Sequence, residues 1–263
     1  MSETTSAPKV KVASPREARS FEREYDDQGF RVRGAQPTRM EAFVDAAFAF
    51  AVTLLVVSVG SVPHSVAELV NAMRGVPAFA ASFVVITLIW QEHRQWSQRF
   101  GLEDGYTIRL SLALVFMVLL YVYPLRMMFA LAIGGLSGGV LAAHPVTFDG
   151  VGDICALYVI FAIGYAVTAL IIVQLNRYAL RRAEVLALSA RERVHTSTTA
   201  HIWLIIAGVA LLSLALALVL SVLSPDALTW GIPGDIYILI WPAAMLMSRR
   251  GRAKLAVLQQ AED

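Results

Sequence analysis

Apolar residues gather in six runs separated by polar or charged segments: 42–60, 77–93, 108–133, 151–174, 201–223 and 232–247. A helix needs about 20 mostly apolar residues to cross a bilayer. The second and sixth runs are short or polar at one edge, which suits helices that are tilted or covered by protein. A spanning segment in lipid must satisfy its own backbone hydrogen bonds, and no alternating ten-residue pattern supports a barrel, so the runs predict helices. Pro77 falls at a helix start, where its missing N–H costs nothing. Pro124 and Pro242 fall inside their runs and predict kinks or local unwinding. The expected architecture is an all-α integral membrane protein with six transmembrane helices per subunit, occupying 38–248. A basic tail follows over 249–263. Residues 1–37 mix Ser, Thr, Pro and charges of both signs with little apolar periodicity, and read as a disordered tail with a short helix around 16–24.

Composition supports this picture, since 57% hydrophobic residues and a mean hydropathy of +0.61 exceed what a soluble domain carries. The net charge is only +2, so the placement of basic residues is more informative than their total. Arg94 and Arg99 lie between the second and third runs, with Arg109 at the very start of the third; Arg177, Arg181, Arg182, Arg191 and Arg193 lie between the fourth and fifth; Arg249, Arg250, Arg252 and Lys254 follow the sixth. The N-terminal tail is similarly basic, while the other three connections carry only Arg74. This split predicts cytosolic termini in a multi-pass plasma-membrane protein. The polar tail ahead of the first run is unlike a signal peptide. A chain this compact and rich in Ala, Val and Arg suggests a bacterial source. The single cysteine, Cys155, excludes an intrachain disulfide and a cysteine-built metal site.

The first run, "TRMEAFVDAAFAFAVTLLVV", carries the polar residues that ask for an explanation. At about 100° per residue, Phe50, Thr53, Leu54 and Val57 fall on one face, with Asp45 roughly opposite. A carboxylate in lipid is costly, so Asp45 needs a partner inside the protein. "ITLIWQEHRQW" on the second run places Trp90 and His93 at the same depth, each with an N–H to donate. Asp45 with Trp90 or His93 is the expected interhelical latch, with Arg39 below it at the mouth. A single six-helix unit has too few helices to surround a conduit symmetrically, so a homo-oligomer is expected.

"RMEAFVDAAFAFAVTLL" resembles the Arg-x-x-x-Phe-Ser-Asp signature and apolar run of the transmembrane protein 175 family of potassium channels, in its short bacterial form. "VPAFAASFVVITLIWQEHRQW" is similar to the family's Pro, Ser-Phe and Trp-x-x-His pattern. The resemblance implies a homotetramer whose four first helices line a pore selective for potassium over sodium through apolar rings rather than a carbonyl filter. It implies Phe50, Leu54 and Val57 as the constriction and Thr53 as the pore-facing hydroxyl. Arg39, Phe43 and Asp45 take the signature positions and, with Trp90 and His93, would form the structural latch. Val44 stands where the family has Ser, and Phe50 where it has an aliphatic.

The chain lacks a Thr-Val-Gly-Tyr-Gly loop, so carbonyl coordination in a filter is not offered. The partners implied are potassium ions and the bilayer, with no nucleic acid, and no cofactor or metal is expected beyond the permeant ion. A carrier is the rival reading, though the inverted repeats that mark many carriers are not visible. A membrane enzyme would need converging catalytic groups, for which His93, Glu92 and Asp104 are the only raw material. Glu92 and Asp104 read instead as solvated or ion-paired loop charges. Arg126, inside the third run, is expected to snorkel, pair with Asp149 or Asp153, or line an external vestibule.

Overall fold

The computed structural model describes residues 25–262 apart from 27, 35, 59–61, 144–145, 225 and 227–230. Its helices are α1 (Arg39–Val57), α2 (Val66–Arg74), α3 (Val76–Phe100), α4 (Gly105–Leu136), α5 (Val151–Arg181), α6 (Ala190–Leu223), α7 (Ile232–Asp235) and α8 (Ile240–Glu262), with a 3₁₀ turn over Ile236–Leu239 between the last two. Five of them, α1, α3, α4, α5 and α6, are long and apolar enough to cross a membrane.

Side-chain caps set several of the helix starts. The Thr38 hydroxyl accepts from the Glu41 N–H at 3.1 Å while the Glu41 carboxylate accepts from the Thr38 N–H at 2.9 Å. Ser189 and Glu192 close the same reciprocal box at the head of α6. Asp104 caps α4 through the N–H groups of Tyr106 and Thr107. Gly75 ends α2 and opens α3, with Pro77 in the first turn as the sequence predicts.

Four of the five spans exceed their predicted lengths, while α1 keeps its predicted 19 residues, shifted toward its N-terminus. α4 runs unbroken through Pro124 for 32 residues, about 48 Å at 1.5 Å per residue, against a hydrocarbon core of about 30 Å. α3 continues seven residues past His93 because His93, Trp96 and Phe100 share a face that turns into the protein. The sixth run departs furthest from expectation. Gly231 at φ +87° and Pro233 restrict the chain to a four-residue helix, and a 3₁₀ turn follows. α8 then starts at Ile240 with Pro242 in its first turn and continues through the basic tail.

The core is centred on α5, whose most extensive partner is α6. Tyr121 of α4 reaches α5, where its hydroxyl donates to the Phe161 carbonyl at 2.9 Å. The ring fits there because residue 164 is glycine: a Cβ at that position would lie 2.5 Å from it. Phe161, Tyr165 and Tyr237 extend this aromatic cluster to the 3₁₀ turn.

The polar connections sort to two ends. At one, Asp104 accepts from the Tyr178 hydroxyl, joining the start of α4 to the end of α5, and Gly251 packs on Thr198. At the other, Asn71 donates to the Ala143 carbonyl at 3.1 Å. α2, a connection in the sequence reading, is an amphipathic helix with Val66, Leu69, Val70 and Met73 exposed. Residues 25–26 and 28–34, part of the expected tail, are folded against the first of these ends. The short helix expected around 16–24 lies outside the described residues.

Candidate functional site: the open face of α1

α1 is divided into three faces. Val44, Phe48, Ala51 and Leu55, spaced by four, three and four residues, are buried against α3 and α4. Phe43, Ala46, Phe50, Thr53 and Val57, spaced by three, four, three and four, form a stripe that the protomer leaves exposed. Phe50 is 56% and Val57 64% exposed. Asp45 projects from the flank between them. This spacing of three and four is what a helix needs to keep one narrow seam facing one direction.

Of the four residues predicted for the constriction, Phe50, Thr53 and Val57 therefore share the open stripe. Leu54 sits at its edge, half-buried against the core. The Thr53 hydroxyl donates to the Ala49 carbonyl at 3.1 Å, which occupies its proton and leaves oxygen lone pairs to act as an acceptor. The stripe thus offers four apolar or aromatic side chains and one hydroxyl oxygen, with no formal charge.

The latch forms through only one of its two candidate donors. The Trp90 indole N–H donates to Asp45 Oδ1 at 2.7 Å, and the Arg94 guanidinium lies 5.3 Å from the centre of the Trp90 ring. His93 is turned away: it is buried and hydrogen-bonded to Ser111 Oγ of α4 at 2.9 Å. It ties α3 to α4 rather than α3 to α1. Phe43 belongs to the open stripe, and Arg39 is exposed with no ion-pair partner among the described residues. Val44, in the place of the family serine, is 1% exposed in the packed stripe, where a methyl-bearing side chain fits without needing a hydrogen-bond partner.

Arg126 takes a backbone partner in place of Asp149 or Asp153. It is half-buried on α4 and donates from Nη1 to the Ser58 carbonyl just past the end of α1. A cation there complements the partial negative charge of a helix C-terminus. Asp153 is already engaged, accepting from the Asp149 N–H at 2.9 Å. Glu92 is not a loop charge; it lies within α3 facing Trp203 and Asn176. Asp104, in the α3–α4 connection, meets some cost of burial. Hydrogen bonds from the Tyr178 hydroxyl and from Thr107 and Tyr106 outweigh it and hold the carboxyl below its ordinary value.

A model of the family described as "Endosomal/lysosomal potassium channel TMEM175" matches residues 39–122, from the start of α1 into α4. A curated protein of Marivirga tractuosa, named "Potassium channel", is 30% identical over 231 residues, covering 84% of this chain and 90% of its own. The crystal structure of a variant of the potassium channel MtTMEM175, in complex with a nanobody–MBP fusion, superposes with a TM-score of 0.73 at 28% identity. The match covers 87% of this chain and 99% of that one. A Chamaesiphon minutus homolog of the lysosomal potassium-selective channel TMEM175 shares the fold at a TM-score of 0.50 and 20% identity. The chain is a membrane-embedded member of the TMEM175 potassium channel family.

Proposed function

We propose that this protein is a potassium-permeable channel, selective for potassium over sodium, in which four copies turn the open stripe of α1 toward a shared axis. The observation that carries this reading is the stripe itself. α1 is a long apolar helix, firmly capped at its start, yet only 22% of its most apolar stretch is buried within the protomer. Rings of Phe50, Leu54 and Val57 would form an apolar constriction, which gates by dewetting. An ion must shed part of its hydration shell to pass. Potassium holds that shell less tightly than sodium, and four Thr53 oxygens would offset part of the loss.

The 3₁₀ turn and α8 supply the sixth crossing, and the end of the molecule that gathers the basic connections faces the cytosol with both termini, as basic loops do in plasma-membrane proteins. Asp45, Trp90 and Arg94 then hold α1 to α3 at that side, while Arg126 holds the last carbonyls of α1 at the other. Family membership sets the enzyme reading aside.

The test is potassium against sodium flux into liposomes holding the purified protein, beside Phe50→Ile and Thr53→Ala. The reading expects potassium to enter faster, Thr53→Ala to narrow the difference, and Phe50→Ile to change the rate. An intact oligomer that passes neither ion in any variant would refute it.

A further inference from the structure

α1 packs inside the protomer along one stripe only, so its ends matter more to its tilt than those of a helix packed on most sides. Residues 25–34, which run into its start, are held in unusual detail. Asp26 Oδ1 accepts from the N–H groups of Gln28 and Phe30 at 2.9 and 2.8 Å, folding the segment into a tight loop. Gly29 provides the positive φ of +77° that the loop needs. Phe30 is 1% exposed, edge-on to Phe100 and His195, with the Arg99 guanidinium 4.2 Å from its ring centre. Arg99 also pairs with Asp26 at 2.8 Å.

The segment then crosses between two helices. Arg33 donates to Glu192 of α6 from Nη1 and Nη2, at 2.8 and 3.2 Å. Its Nε donates to the Leu186 carbonyl in the α5–α6 turn at 3.0 Å. The Arg31 N–H adds a third bond to Glu192 at 3.1 Å. The N–H groups of Arg33 and Gly34 both donate to the Gln98 carbonyl of α3, at 3.0 and 2.9 Å. Contact is close enough that a Cβ on Gly34 would lie 2.9 Å from the Ser97 carbonyl oxygen. Only residues 35–38 separate this grip from Arg39, the first residue of α1.

We infer that residues 25–34 are an anchor arm that fixes the N-terminal end of α1 against α3 and α6, and that Arg33 and Glu192 are positioning residues for conduction. The inference rests on the reading that α1 lines the path. A helix carrying a narrow apolar constriction must keep its tilt to within a fraction of a side chain, because a small inward lean dewets the path. Releasing the arm frees one end of that helix and shifts the population toward closed arrangements.

Two variants separate the arm from the fold. Glu192→Gln removes the charge that Arg33 grips but keeps a side chain able to complete the Ser189 capping box. Gly34→Ala leaves the ion pair in place and wedges the arm off the Ser97 carbonyl. The full-length protein is reconstituted into planar bilayers and single-channel currents are recorded in potassium, after light scattering confirms the tetramer, with Val57→Ala alongside. Both arm variants should lower the open probability of intact tetramers several-fold while leaving unitary conductance unchanged. Val57→Ala should change unitary conductance instead. Should both arm variants leave open probability as in the wild type while Val57→Ala alters conductance, the arm is only part of the fold: the inference fails and the pore reading stands. If Val57→Ala also changes nothing, the pore reading fails and takes the inference with it. Open probability per channel is unaffected by how much protein folds, so a purely structural role would not move it.

Discussion

α1 and α5 are both continuous apolar helices, yet 61% of the most apolar stretch of α5 is buried within the protomer against 22% for α1. In α5 the buried residues, among them Leu157, Tyr158, Phe161, Ala162, Ala166 and Ala169, cover most of the circumference and leave one narrow exposed seam of Ile160, Ile163, Val167 and Leu170. In α1 they occupy a single stripe. In lipid, apolarity is required of any span and so does not tell scaffold from working surface. What distinguishes them is how many faces find protein partners. α5 packs over most of its surface, whereas α1 uses one face for packing and one flank for the Trp90 latch, and leaves the seam of Phe43, Ala46, Phe50, Thr53 and Val57 exposed in the protomer.

The largest effect expected from this contrast lies within α1. Leu55→Ala, on the packed stripe and fully buried, should cost about 2 kcal/mol. This is the lower end for such truncations, because lipid rather than water receives the unfolded helix while the cavity remains. Val57→Ala, on the open stripe, should leave thermal unfolding of the protomer within about 0.5 kcal/mol of the wild type and act on flux instead. Equal losses of stability from both would erase the distinction between the faces. In α5, Gly164→Ala presses a methyl into the buried Tyr121 ring. It should destabilise by about 1–3 kcal/mol, as overpacking does, and a melting temperature equal to the wild type would mean the helices separate more easily there than their contact implies.

Much of this was legible in the chain because lipid leaves few options. The five spans are among the six that run length predicts, and helical angle alone puts Phe50, Thr53 and Val57 on one face of α1. It also puts Leu54 there and Asp45 opposite, whereas Leu54 is half-buried at the edge and Asp45 projects from a flank beside the packed stripe. The latch was half legible. Trp90 and His93 lie three residues apart and both can donate, and only the position of Ser111 on α4 decides that His93 turns the other way. The arm was not legible, because its composition is that of a solvated segment and Arg33 finds Glu192 159 positions away. The break in the sixth run was placed at Pro242, whereas it falls at Gly231 and Pro233, because apolarity alone hides a change from α to 3₁₀ geometry.

Smaller effects refine the picture. Asp45→Asn keeps an acceptor for the Trp90 indole but loses the charge. Charge-assisted hydrogen bonds are worth roughly 1 kcal/mol more than neutral ones, so unfolding should be easier by about that amount at most. An unchanged melting temperature together with altered flux would make the latch a gating element rather than a stabilising one. Smallest is the pH dependence carried by Asp104. Its folded carboxyl lies below the ordinary value, so its contribution is fully present above that ordinary value, near 3.8, and is lost as pH falls through the folded one. Thermal unfolding of the wild type should therefore weaken in acid more than that of Asp104→Asn, and parallel pH profiles would remove Asp104 from the account.

The central claim, that the open stripe of α1 faces a water-filled ion path, is tested most directly by thiol accessibility. In a Cys155→Ala background, Thr53→Cys, Val57→Cys and Phe48→Cys are reconstituted separately, and potassium flux is followed while a charged, water-soluble thiosulfonate reagent is added. The account predicts rapid block at positions 53 and 57 and none at position 48 on the packed stripe. Undiminished flux through the modified cysteines at 53 and 57 would place the ion path elsewhere.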